Sequence, residues 1–316
     1  MQVDSSEAEY FLNEFPLAVP GARAIEGVKK YPVENAAHCL VHIRQLHGIE
    51  HLLEEQIFEA IKTLPSTDQL VIWKVLWGEK LEDLRYPWIT HETLPDYRKF
   101  FEAPAFLKAL KLHKDARCSK PEVHANIRRI VEYLLENRGL DTFHLEGVHG
   151  EMAMLMRKLS VLKEAHLRRR ALFLSLPGHE RDSAQMRRMW NADASLEYLE
   201  TMRDRHLGTL LPLFRAGKLH VLPDASDAVG AEAKAVISRH FFGKTFDPSN
   251  REFREHLDVR RENALLSQGL GEAVVLARFG GAHRFWPRIQ EWNADRSADR
   301  YSLIEITPEG YEEDKP

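Results

Sequence analysis

Short apolar runs alternate along this chain with much longer stretches of helical spacing. The first run, residues 38–43, contains the β-branched Val41 and Ile43 and is typical of a strand buried on both faces of a parallel sheet. Four later runs share this character, at residues 140–147, 218–222, 272–279 and 301–306. Strands separated by helices predict an α/β fold, with a mostly parallel central sheet flanked by many helices.

The remaining segments are assigned around this sheet. We expect residues 1–36 to form an N-terminal arm docked by Phe11, Phe15 and Leu17, because prolines and glycines interrupt regular structure there. Residues 37–316 are predicted to form a single α/β domain, in which a weak pattern at about residues 78–120 indicates an insertion or helical cap. The apolar run 69–77 fits a strand or a helix, and we favour a helix because Ser66 and Gln69 resemble a capping box.

Composition narrows the class of protein. The 44 basic and 48 acidic residues give a net charge of -4, which argues against a nucleic-acid partner. Cys39 and Cys118 fall in a predicted strand and a polar loop, so no disulfide framework is expected. Neither a signal-peptide pattern nor a membrane-length apolar stretch is visible, so we expect a cytoplasmic protein without a membrane partner. A homo-oligomer formed through the 69–77 run or the insertion stays open.

Three polar residues share one predicted position, the carboxyl ends of sheet strands. His47 follows the first strand, Glu146 ends the second, and His283 follows the strand at 272–279. These ends lie on one edge of a parallel sheet, where open α/β sheets bind their ligands. Two imidazoles and a carboxylate can hold a divalent metal ion such as Zn, Mn or Co and leave positions for water and substrate. Without a metal, a histidine could take a proton from water while the glutamate orients it.

Neighbouring residues complete this predicted site. Gly280 and Gly281 allow a ligand to approach the backbone closely. Arg260 or Arg261, on the preceding helix, can neutralise charge that develops on a substrate oxygen. The structural alternative is that the strand-end histidines cap backbone groups and that the glutamate pairs with an arginine. His144, on the same strand face as the glutamate, and His149 are further candidates.

Two other sequence patterns are typical of functional sites, an H-x-x-E-H segment and a basic stripe on a helix. The segment His47-Gly48-Ile49-Glu50-His51 fits H-x-x-E-H, an inverted zinc-protease motif that needs both histidines on one helix. Because Gly48 follows a strand, we place His47 in a turn instead. The helix predicted over residues 151–173 has a basic stripe, which we interpret as a solvated face, with an anionic partner as the alternative. The stripe consists of Arg157, Lys158, Lys163, Arg168, Arg169 and Arg170.

The order of these motifs resembles that of the TraB/Tiki-like superfamily, which is related to the erythromycin esterases and to the ChaN-type haem-binding proteins. The matching segments span most of residues 37–308. They are Arg44-Gln45-Leu46-His47-Gly48, Leu145-Glu146-Gly147, Arg260-Arg261-Glu262-Asn263 and Gly280-Gly281-Ala282-His283.

The resemblance implies an α/β fold with its site at the strand ends and a peptidase- or esterase-like activity. It assigns His47 and His283 as metal ligands or bases, Glu146 as the partner carboxylate, and Arg260 as the substrate-facing cation. The family's first motif has glycine three residues before the histidine, where this chain has Arg44. We expect Arg44 to contact the bound cofactor, where its bulky cation would either block the metal site or give the site a different use.

We therefore predict a metal-dependent hydrolase that acts on a small-molecule or peptide substrate. Two alternatives stay open. One is a protein that binds a haem-type ligand without catalysis, with histidine, tyrosine or methionine as axial ligands. The other is a scaffold or regulatory protein whose site has decayed.

Overall fold

Six strands form one sheet in the part of the chain that the structure describes. The computed structural model describes residues 5–15, 25–45, 57, 61–104, 106–107, 121–225, 228–229, 232, 259–280 and 283–311. The strands are β1 (Ile25–Tyr31), β2 (His38–Gln45), β3 (Thr142–His149), β4 (His220–Ala225), β5 (Val274–Gly280) and β6 (Tyr301–Pro308). Their order is β1-β6-β2-β5-β3-β4, with β1 antiparallel to β6 and the other neighbours parallel. The predicted mostly parallel α/β fold is confirmed.

Helices alternate with these strands along the chain. They are α1 (Ser5–Glu14), α2 (Ser66–Leu76), α3 (Leu94–Phe101), α4 (Pro121–Arg138), α5 (Gly150–Ser175), α6 (Ser183–Leu207), α7 (Leu211–Arg215), α8 (Arg260–Gln268) and α9 (Phe285–Ala294). The run 69–77 lies almost entirely in α2, so the choice of helix is confirmed, but the capping-box argument is wrong. No side chain caps the start of α2, and Gln69 Nε2 instead donates to Leu64 O at 2.8 Å.

The predicted N-terminal arm contains regular structure that its prolines and glycines did not predict. Helix α1 ends before Pro16, and β1 pairs with β6 at the edge of the sheet. Gly27 lies inside β1, where the pairing register shifts. Phe11 and Phe15 are buried, as expected of docking residues, whereas Leu17 lies outside the described residues.

Strand β2 occupies the centre of the sheet and is covered on both faces. Its residues 38–43 are at most 1% exposed. One sheet face packs against α8 and α9 in a cluster of buried apolar side chains. Helices α1 and α4 also contact β2, and since successive side chains alternate between faces, these helices cover the other one. The cluster contains Leu40, Leu265, Leu266, Val275, Ala277, Phe279, Phe285, Ile289, Trp292, Tyr301 and Leu303.

The chain divides into two compact units. The first, Met1–Gly48, Cys118–Ala153 and His206–Pro316, contains the sheet. The second, Ile49–Arg117 and Met154–Arg205, contains α2, α3 and most of α5 and α6. None of the helices within the described ranges combines the length and the hydropathy needed to cross a membrane.

Candidate functional site

Glu146 lies in the second half of β3, beside the end of β5, and among the described residues two N–H donors and the His283 ring contact its carboxylate. Oε2 accepts the backbone N–H of Gly280 at 2.6 Å. Oε1 accepts from Arg261 Nη1 at 3.2 Å and lies 3.1 Å from His283 Nε2. The side chain of Glu146 is only 10% exposed. Two of the three predicted strand-end residues, Glu146 and His283, are therefore in direct contact.

His283 lies between two carboxylates. While Nε2 faces Glu146, Nδ1 lies 3.1 Å from Oε1 of Glu262 on α8. A neutral imidazole has one N–H and can donate to only one of these groups. The other contact brings a nitrogen lone pair against a carboxylate, unless a second ring proton or a metal ion lies between them. The arrangement is therefore complementary to a cation at the imidazole.

Glu262 extends this arrangement into a chain of alternating charges. It is buried, accepts the backbone N–H of Arg284 at 3.2 Å, and lies 3.6 Å from Arg288 Nε. The sequence analysis missed Glu262 as a site residue. A signal was present, because Glu262 precedes Leu265 and Leu266 by three and four residues, and this helical spacing places it on the buried face of α8.

Two neighbouring arginines of α8 have different partners. Arg260, which the family resemblance assigns as the substrate-facing cation, is exposed and pairs with Glu232. Arg261 is 12% exposed and contacts Glu146. The structure therefore brings Arg261 rather than Arg260 to the Glu146–His283 pair.

Arg44 lies near the carboxyl end of β2, with partners of its own. Its Nη1 is 3.8 Å from Glu305 Oε1, and its guanidinium carbon lies 4.7 Å from the centre of the Tyr311 ring. His47 and Gly281 fall outside the described residues, as does the whole His47–His51 motif. Within the described ranges, no group of three histidine, cysteine or acidic side chains is arranged to hold a metal ion. The predicted trio includes His47, so it stays a prediction.

Arg278 adds a buried positive charge to the end of β5. Its guanidinium donates to the backbone oxygen of His206, near the carboxyl end of α6, where the helix dipole favours a cation. Burial lowers the pKa of Arg278 to about 10, an effect that the negative charge of Glu146 partly offsets. Arg278 therefore stays charged at neutral pH and contributes positive potential near Glu146.

Two further histidines are buried in β2 and β3. His42 Nε2 donates to Phe279 O at 3.3 Å, while its Nδ1 has no hydrogen-bond partner among the described residues. Burial, followed by repulsion from His283, lowers the pKa of His42 to about 3, so this ring is neutral in the folded protein. His144 Nδ1 donates to Pro223 O at 2.9 Å, and its Nε2 lies 3.3 Å from Glu272 Oε1. The side chain of His149 lies outside the description.

Comparison with models of known protein families, with curated proteins and with solved structures finds no match to this chain. The resemblance to the TraB/Tiki-like superfamily therefore rests on the short motifs alone and stays a prediction.

Proposed function

We propose that this protein is a metal-dependent hydrolase that activates water with Glu146 and His283 at the carboxyl ends of β3 and β5. The observation that supports this most is the placement of His283 between two largely buried carboxylates, each 3.1 Å from a ring nitrogen. Such an imidazole is oriented at one nitrogen and available for proton transfer or metal binding at the other.

The donor set is compatible with a divalent metal ion. The 3.1 Å separation of His283 Nε2 and Glu146 Oε1 suits two ligands that each lie about 2.1 Å from one ion. Glu262 stands where a carboxylate orients a metal-binding imidazole through its other nitrogen. The positive charge of Arg261 disfavours the ion, because Arg261 and the ion would both contact Oε1 of Glu146. His47 is the predicted third ligand. When bound, the ion would lower the pKa of its water to about 7.

Residues of the chain itself would accept the proton, orient the water and stabilise the developing charge. With its proton on Nδ1 and held by Glu262, His283 presents an unprotonated Nε2 that can accept a proton from water. Gly280 N–H fixes the Glu146 carboxylate, which then orients that water. Arg261 contacts Glu146 and would stabilise negative charge on a substrate oxygen. These roles fit the attack of water on an ester or peptide carbonyl.

A substrate panel tests this proposal. Native protein would be assayed against nitrophenyl esters and fluorogenic peptides with Zn²⁺, Mn²⁺ or Co²⁺ present, and again after chelation. Glu146→Gln and His283→Ala are expected to lower kcat/KM by roughly 10²–10⁴-fold. Glu136→Gln is the matched control, since Glu136 is an exposed glutamate on α4. Hydrolysis that survives both site variants, or a native protein inactive on every substrate, contradicts the proposal.

A further inference from the structure

Helix α5 has two faces of different chemistry. One face pairs with α6 within the second unit. Lys163 Nζ donates to Glu200 Oε2 at 2.7 Å, and His166 Nε2 lies 2.8 Å from Asp193 Oδ1. Arg170 reaches the same aspartate at 3.4 Å. Lys163 and Arg170, two residues of the predicted basic stripe, are therefore held by internal ion pairs, and these pairs do not account for the rest of the stripe.

The opposite face of α5 exposes a narrow apolar line. Met154, Val161 and Leu172 are 39%, 66% and 70% exposed, and Ala165 is exposed between them. At 3.6 residues per turn, these four side chains fall within an arc of about 40°. Large aliphatic side chains exposed along one side of a helix are characteristic of an interaction surface.

Cations border this line on both sides. Arg157 and Arg168 lie along one side, Lys158 and Arg169 along the other, and all four are exposed. Glu164 is the only acidic residue between Met154 and Ser175, and Arg168 already pairs with it. We define the outer face of α5 as the four apolar residues together with these four cations.

We propose that the outer face of α5 docks an acidic amphipathic helix of a partner protein. Lys158 and Arg168 complete a line in which the steps alternate between four and three residues, from Met154 to Leu172. This is the spacing of a coiled-coil seam, in which Lys158 and Arg168 take seam positions and Arg157 and Arg169 lie beside the seam. Charges at both kinds of position select the partner in such pairs. Glutamates beside the partner's apolar residues would match the bordering cations.

The same features disfavour two other occupants. A helix that lies on a lipid surface buries a broad apolar face, whereas a narrow line suits the seam between two helices. A second copy of α5 would bring four more exposed cations to the interface, and like charges across an interface are strongly unfavourable. Charge complementarity therefore selects an acidic helix.

A synthetic probe tests this surface on the full-length chain. The probe is a three-heptad helical peptide with leucine at the seam positions and glutamate at the flanking positions. Controls are a scrambled peptide of the same composition and a version with lysine in place of glutamate. Leu172→Glu places a negative charge within the apolar line. Leu174→Glu makes the same chemical change at an exposed leucine about 200° further around the helix.

Binding is measured by fluorescence anisotropy at two salt concentrations, with a thermal melt of each variant as a check of folding. We expect the acidic probe to bind native protein at least about tenfold more tightly than either control peptide. Leu172→Glu should weaken that binding by a similar factor, while Leu174→Glu leaves it unchanged. Equal binding of the scrambled peptide, or equal effects of the two variants, overturns the proposal. Failure of the acidic probe to bind native protein also overturns it, and retention on phosphatidylglycerol vesicles would then identify a lipid surface instead.

Discussion

Replacement of Glu262 by leucine tests whether the buried charges around His283 stabilise the folded protein through their mutual pairing. The side chain is 4% exposed, lies 3.1 Å from His283 Nδ1, and accepts the backbone N–H of Arg284 at 3.2 Å. Leucine fills similar space but removes the carboxylate that contacts both of these groups, and it removes one of the two carboxylates beside the Arg288 guanidinium. Breaking a buried, paired charge costs about 3–5 kcal/mol, so Glu262→Leu should lower the free energy of unfolding by about that amount.

Two matched variants separate the causes of this loss. Glu262→Gln keeps an acceptor for the imidazole and removes the charge, so we expect a smaller loss of about 1–2 kcal/mol. Glu291→Gln removes the other carboxylate beside Arg288, one that is 66% exposed, and should change stability by less than about 0.5 kcal/mol. Urea unfolding followed by tryptophan fluorescence gives all three values. A Glu262→Leu variant as stable as Glu291→Gln would refute the reasoning.

Three further predictions follow from the geometry. Burial holds the pKa of His42 in the folded protein at about 3, whereas the pKa in the unfolded chain is near 6.5. Between these two pH values the unfolded chain binds a proton that the folded protein does not, so the free energy of unfolding falls as the pH drops. His42→Phe should remove on the order of 3 kcal/mol of the loss between pH 6.5 and pH 4, measured by urea unfolding. A Cβ at Gly269 would lie 2.6 Å from a side chain of strand β5, whereas one at Gly271 meets no atom of the described residues within 4 Å. Gly269→Ala should therefore lower stability by about 1–3 kcal/mol, and Gly271→Ala should change it by less. In the hydrolysis assay, Arg261→Gln should reduce kcat/KM by more than tenfold (~10²–10³) and Arg260→Gln much less; the reverse ranking would restore the assignment implied by the family resemblance.

The sheet was predictable wherever burial leaves a continuous apolar run. Strands β2 and β5 are buried on both faces, and each contains an uninterrupted apolar segment, at residues 39–41 and 274–277, that marks it as a buried strand. Strand β1, with the sequence IEGVKKY, was missed. It lies at the edge of the sheet and is partly exposed, and an edge strand can contain charged residues without loss of stability.

The candidate site was predictable to the extent that strand ends determine it. Glu146 and His283 were predicted to meet because parallel strands bring their carboxyl ends to one edge, and they do meet. The choice between Arg260 and Arg261 could not be made from spacing, because consecutive helical residues point about 100° apart and the orientation of α8 was unknown. Glu262 was missed because a buried glutamate is recognisable only once the apolar face of its helix is fixed.

The metal content of the purified protein tests the proposed site most directly. After incubation with Zn²⁺, Mn²⁺ or Co²⁺ and removal of free ions, elemental analysis should find about one ion per chain in native protein and in Glu136→Gln. His283→Ala and His47→Ala should each hold far less than native protein. Equal metal content in native protein and His283→Ala, or none in either, would contradict a metal-dependent hydrolase built on Glu146 and His283.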